Sequence, residues 1–243
     1  MRSRQRLLGL TIAIAMVLAA CTPGAGPAAT TVTTSAAQSS TAATSAPEPT
    51  TPESTTSTTS TSAIIDSIAF HQAMRDLWVD HVAWTRLFIV SAVADLPDTE
   101  ATVSRLLQNQ TDIGDAVAGF YGEEAGAALT ALLRDHILIA ADLVTAAKTG
   151  DQDAVAEANT AWYANADDIS AFLAGANPAW PEDTLREMMY GHLDQTLAEA
   201  TAQLTGDYAA SVAEYDHIVT HILEMADTLS AGIITQFPDQ FGS

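Results

Sequence analysis

The 243-residue chain sets 30 acidic against 9 basic residues, a formal charge of −21, and holds a single cysteine. So acidic a surface repels polynucleotides and anionic lipid headgroups, which excludes nucleic-acid binding and electrostatic docking to a membrane. One cysteine excludes an intrachain disulfide and a multi-thiolate metal site.

In chain order, Arg2, Arg4 and Arg6 come first, followed by an apolar run from Leu7 to Ala20. That run is shorter than the roughly 20 apolar residues of a membrane-spanning helix and ends in small residues, as a signal peptide does. Its last positions, Leu18-Ala19-Ala20-Cys21, resemble the bacterial lipobox. The resemblance implies cleavage before Cys21, diacylation of that residue, and an extracytoplasmic domain held to the cell membrane by lipid. Two acyl chains make such an anchor stable where one is marginal. The alternative is an ordinary secretory signal. Residues 1–20 are thus expected to be a lipoprotein signal peptide.

From Thr22 to Ser62 the chain is almost wholly Thr, Ser, Ala, Pro and Gly, interrupted by Val32, Gln38, Glu48 and Glu53. Nothing there can bury enough apolar surface to offset the entropy of ordering. With Cys21, residues 21–63 are therefore expected to be a lipidated, disordered tether, reaching roughly 35 Å root-mean-square. Its Ser/Thr/Pro composition also permits O-glycosylation.

Residues 64–243 read as one all-α domain. Apolar residues recur at three- and four-residue spacing, and no alternating run is long enough to argue for a sheet. The spacing predicts six helices over 65–94, 98–118, 123–148, 151–174, 182–204 and 208–235. Leu96-Pro97, Tyr121-Gly122, Gly150, Asn177-Pro178, Gly206 and Phe237-Pro238 separate or end them. Asp98, Asp151 and Asp207 stand where N-caps belong.

The helices also repeat. His136 and His192 are 56 residues apart, as are Thr149-Gly150-Asp151 and Thr205-Gly206-Asp207. The same offset carries Asn165-x-x-Asp168-Ile169 onto His221-x-x-Glu224-Met225. A step back of about 55 residues places His81 on His136 and Asn109-x-x-Asp112-Ile113 on Asn165-x-x-Asp168-Ile169. This predicts a six-helix bundle built from three repeated antiparallel hairpins. His136 lies 14 residues before Gly150 and Asn165 lies 15 after it. At the helical rise both sit about 21–23 Å from the turn and face one another. The other hairpins have nearly the same spacing, so the polar groups share one depth.

His136 follows the stripe Leu129, Leu132, Ala140 and Leu143, and the other three histidines sit on similar stripes. The expected interior layer therefore comprises His81, His136, His192 and His221 with Asp112, Asp168 and Glu224. Asn109, Asn165, Thr196, Glu199, Arg86 and Arg134 are expected to support it. Carboxylates so placed must be paired, and Arg86 and Arg134 are cations able to pair them.

Three functions fit such a layer. Imidazole with carboxylate suits zinc, copper, iron or manganese, so the layer is a candidate site for a transition metal, or for a small ligand. Alternatively each histidine bonds within its own hairpin and the layer only fixes helix register. A metalloenzyme is the third reading. Di-iron bundles need two Glu-x-x-His motifs, and the chain has one, Glu214-x-x-His217. Asp151-Gln152-Asp153 looks like the Asp-x-Asp of glycosyltransferases but opens a helix, where acids act as caps. Trp78, Trp84, Trp162 and Trp180, with Tyr163 and Tyr190, are candidates to line a cleft or to fill helix contacts.

The strings Leu77-Trp78-Val79-Asp80-His81-Val82-Ala83-Trp84-Thr85-Arg86, His136-Ile137-Leu138-Ile139-Ala140, Trp162-Tyr163-Ala164-Asn165-Ala166-Asp167-Asp168-Ile169 and His221-Ile222-Leu223-Glu224-Met225-Ala226-Asp227 resemble a group of small bacterial helical proteins. The likeness covers most of 74–238. It implies the helical fold. Some of that group are labelled glycosyltransferase or kinase, activities that the residues here do not support.

Overall fold

The computed structural model describes residues 64–242. The expected signal peptide, Cys21 and the tether lie outside the described residues.

Six helices account for the domain: α1 (Ser67–Val93), α2 (Thr99–Tyr121), α3 (Glu123–Thr149), α4 (Gln152–Ala176), α5 (Glu182–Thr205) and α6 (Tyr208–Gln236). No end departs from the sequence expectation by more than three residues. Each helix packs on the next in sequence and α6 returns to α1, so the bundle closes on itself; α1 also reaches α3 and α5. α6 is long and apolar enough to cross a membrane by length and composition alone, and it packs on α5 and α1.

Two of the connections are built alike. Gly150 and Gly206 adopt left-handed φ of 77° and 80°, a conformation that a β-carbon disfavours. The next residue then caps the following helix: Asp151 accepts from Ala154 N and Asp207 from Ala210 N, each at 3.1 Å. The first connection differs. Asp98 occupies the N-cap position of α2 but makes no side-chain capping bond, and Asp95 takes the positive φ, 53°.

The first helix begins two residues later than expected. Asp66 is its N-cap, accepting from Ala69 N at 2.8 Å. The preceding β1 (Ile65–Asp66) pairs in parallel with β2 (Phe241–Gly242). Two-residue strands carry no alternation to detect, so the sequence could not announce them. Stacked Phe120 and Phe241, 5.5 Å apart, and Phe70 pack at this end of the bundle.

Glycines allow two close crossings. A β-carbon on Gly126 would lie 2.6 Å from Ala118 Cβ and 2.7 Å from Gly114 O, so α2 and α3 approach backbone to backbone. A β-carbon on Gly232 would fall within the Trp180 indole. That indole packs against α6, its N–H donating to Thr228 O at 3.3 Å.

Candidate functional site

The site starts from one kind of bond that recurs from α2 to α1, from α4 to α3 and from α6 to α5. Asn109 Nδ2 donates to Leu77 O at 3.0 Å, Asn165 Nδ2 to Leu132 O at 3.1 Å, and His221 Nε2 to Met188 O at 2.8 Å. Each acceptor stands four residues before a histidine: His81, His136 and His192. A side chain of the second helix thus reaches across to the first at the same register every time. Gly191 makes room for the third of these bonds, since a β-carbon there would lie 3.3 Å from the His221 ring.

His81, His136 and His192 come from α1, α3 and α5 and meet in the interior. All three are buried. The His81 and His192 ring centres are 5.6 Å apart, and those of His136 and His192 are 6.3 Å apart. Trp78 packs on His81 and Trp162 on His136. Burial penalises the charged imidazole, and the neighbouring rings add to the penalty for His81 and His192. His81 is lowered to about 3, His136 to about 4, and His192 falls well below the usual value. The layer is neutral at pH 7. His136 Nδ1 lies 2.8 Å from Asn165 Oδ1. Since the amide nitrogen of Asn165 is already donating, His136 Nδ1 must donate to that oxygen, which leaves Nε2 as a bare lone pair. Among the described residues, His136 Nε2, His81 Nδ1 and His192 Nδ1 are buried without a partner.

The rest of the expected layer is placed differently. His221 is at its edge, half-buried and committed to Met188 O. Asp168 and Glu224 are exposed. Asp112 is half-buried, accepts from Gln108, and faces Arg105 at 3.8 Å. The reason is rotation: Asn165 and Ile169 are four residues apart and share the buried face, whereas Asp168 is one residue, about 100°, off Ile169. The same holds for Asp112 beside Ile113 and Glu224 beside Met225. Arg134 runs along the outside, donating to Leu107 O at 3.3 Å. Two of the three expected carboxylates are thus exposed and the third is half-buried beside Arg105. Among the described residues no three His, Cys, Asp or Glu side chains converge so as to hold an ion.

Glu199 and Arg86, expected separately, form a largely buried pair between α5 and α1. The same guanidinium nitrogen of Arg86 also donates to Ser211 O and Oγ at 3.1 Å, and Ser211 Oγ donates to Gln203 Oε1 at 3.2 Å. Tyr215 lies under the guanidinium, 5.1 Å away. Burial raises the Glu199 carboxyl, and Arg86 opposes that rise.

The histidine layer divides the interior into unlike halves. On one side Met74, Trp78, Ile113, Leu133, Ile169, Met189, Met225 and Ile233 fill the space, leaving only about 20 Å³. On the other, toward Gly150 and Gly206, a cavity of about 410 Å³ opens between five helices. Thr85, Ala140 and Thr196, one helical turn beyond His81, His136 and His192, line it. Small side chains at Ala147, Ala156 and Ala200 leave the volume unfilled, and Phe88, Ile89, Leu143 and Val144 make the wall apolar. The Thr85 and Thr196 hydroxyls are spent on His81 O and His192 O. Trp162 and Asn159 also line the cavity. Among the described residues, the Trp162 indole N–H and the Asn159 Oδ1 have no partner.

Comparison with protein-family models, curated proteins and solved structures finds no match.

Of the candidates read from the sequence, the three odd-helix histidines, Asn109, Asn165, Thr196 and the Arg86–Glu199 pair sit where the polar interior lies. Trp162, one of several aromatic candidates, is the one that lines the cavity. Asn159 gives no signal in the sequence because it stands six residues before Asn165, with no counterpart at the repeat offset. Gln110 escapes for a similar reason. It is fully buried beside Asn109 and bonded to it at 3.1 Å, a position where no periodic signal exists.

Proposed function

We propose that this chain is a lipid-anchored, extracytoplasmic binding protein of a bacterial cell, built of three repeated helical hairpins, that takes a small organic ligand into the cavity above its histidine layer. The observation that carries the reading is the cavity. Its volume of about 410 Å³ falls within the roughly 300–1,000 Å³ typical of ligand pockets, which are likewise mostly apolar with a few placed polar groups. The well-filled half on the other side of the layer makes loose packing of the whole bundle a poor explanation. The anchor rests on the resemblance of Leu18-Ala19-Ala20-Cys21 to a lipobox, and the repeat rests on the shared turns and the three side-chain-to-carbonyl bonds.

The second reading is a structural or protein-interaction module whose layer only fixes helix register. It is favoured by those same three bonds, each of which stays within one hairpin. The cavity supports the first reading, because a register device needs no empty space beside it. A transition metal has less support than an organic ligand, since Asp168 and Glu224 are exposed and Asp112 is bonded to Gln108.

Titration of the full chain with N-phenyl-1-naphthylamine, whose emission rises in apolar sites, tests the proposal. Saturable binding of one dye per chain is expected, and it should be lost when Ala140→Phe fills the cavity. No saturable binding, or binding indifferent to that substitution, would refute it.

A further inference from the structure

The cavity has an apolar interior and a polar mouth. Of the residues that line it, Gln152 and Ala156 on α4 and Thr201 on α5 are exposed, and the others are buried or half-buried. The opening therefore lies between α4 and α5. Trp162, ten residues beyond Gln152 and so about 15 Å along α4, is buried at the inner end beside His136. Among the described residues, no Asp, Glu, Lys or Arg lines the cavity. Thr85 and Thr196 spend their hydroxyl protons on His81 O and His192 O. The Trp162 indole N–H and Asn159 Oδ1 are covered by their neighbours, out of reach of anything in the cavity. A polar head carried inside would give up its water for little in return. At the mouth it keeps that water beside Gln152 and Thr201, while a hydrocarbon tail gains from every methylene that it buries.

The charges around the mouth select the head. Asp153 and Glu157 directly follow the two α4 residues at the opening and are exposed. Arg186 is the only cation on α4 or α5. It stands fifteen residues before Thr201, about 22 Å along the helix, and is engaged by Asp167, Glu182 and Asp183. Lys148, four residues before Gln152, is held by Asp95 and Ala92 O. Resting on the ligand-binding reading above, we infer that the natural ligand is a hydrocarbon-tailed amphiphile with an uncharged or cationic head, held tail first between α4 and α5 with its head at Gln152, Ala156 and Thr201. The tail lies against Ile89, Leu143, Val144 and Ala200. An anionic head on the same tail meets Asp153 and Glu157 with no unengaged cation on α4 or α5 to offset them.

Decyltrimethylammonium and decanoate, matched in tail and opposite in head charge, are titrated calorimetrically into the full chain at pH about 7, where the acid is ionised. The cation is expected to bind at least about tenfold more tightly, by a ratio that shrinks as salt is added. It should displace the naphthylamine dye, which separates the cavity from the acidic surface. Lengthening its tail from octyl to decyl should tighten binding about fourfold per methylene. Ala156→Lys puts an ammonium at the mouth and should lower the cation-to-carboxylate ratio at least about threefold while dye binding stays unchanged. A decyldimethylammonium with a nitroxide on its head reports orientation. It should broaden the Gln152 side-chain amide more than the Trp162 indole, the two signals being assigned through Gln152→Glu and Trp162→Phe. Decanoate binding as tightly as the cation, a ratio indifferent to Ala156→Lys, a Trp162 signal broadened more than that of Gln152, or a cation that leaves the bound dye in place would each overturn this inference and keep the cavity as a binding site. Failure of the dye and both amphiphiles to bind would overturn the ligand class and the binding function together.

Discussion

Asn165 holds His136 in one tautomer: its Oδ1 lies 2.8 Å from His136 Nδ1 while its Nδ2 donates to Leu132 O at 3.1 Å. Both ends of one amide are thus used to lock α4 onto α3, and the imidazole is oriented with its Nε2 lone pair facing the interior. The bond to a carbonyl four residues before the histidine recurs from Asn109 and His221, and Asn165 adds a second bond, to the ring.

Asn165→Leu should therefore cost more than a surface substitution. It leaves the His136 ring N–H buried without a partner, while the Leu132 carbonyl keeps its helical bond within α3. A loss of about 1–3 kcal/mol in unfolding free energy is expected, read from urea denaturation with an unchanged slope. A loss below about 0.5 kcal/mol, the range of ordinary surface changes, would mean that the bond does not hold the layer.

Acid should weaken the fold before its carboxylates titrate. His81, His136 and His192 have folded pKa values depressed below the ordinary value of about 6.5. The folded layer stays neutral while the unfolded chain takes up protons. Stability is then full above pH about 6.5 and falls as the pH drops from there toward the folded values of about 3 to 4. Three such groups give a slope of about 4 kcal/mol per pH unit once all are protonated in the unfolded chain. Urea midpoints measured from pH 8 down to about 5 check this. The curve should bend downward below about 6.5, and a His136→Phe variant should lose about a third of the slope. A flat profile to pH about 5 would show that these imidazoles are not buried neutral.

Much of this architecture was legible from the sequence, for reasons that also explain what was not. Gly150-Asp151 and Gly206-Asp207 announce a left-handed residue followed by a cap, and both are found. The 56-residue offset located His136, His192, Asn165 and His221 at one depth because rise along a helix is fixed per residue. Rotation is less forgiving. Asp168, expected inside with Asn165, is turned about 100° from Ile169, as Asp112 is from Ile113 and Glu224 from Met225. Arg134 shared a helix with His136 but not its face. The cavity lay beyond reach for a different reason. Ala140, Ala147 and Ala200 read as ordinary members of an apolar stripe, and a stripe says which residues face inward but not whether they meet. That depends on helix separation, which neighbouring large residues such as Phe88 and Trp162 set.

Ala200→Leu joins the stability and the function of that cavity in one measurement. Ala200 is buried and lines the open half, so a larger apolar side chain there has space to enter without displacing its neighbours. If the cavity exists to hold a ligand, filling it should stabilise the empty protein by about 0.5–2 kcal/mol, or a few degrees in Tm. The same substitution should weaken N-phenyl-1-naphthylamine binding at least about tenfold. A destabilised variant that binds the dye as tightly as the parent would contradict the claim that this space is open, apolar and built for a ligand.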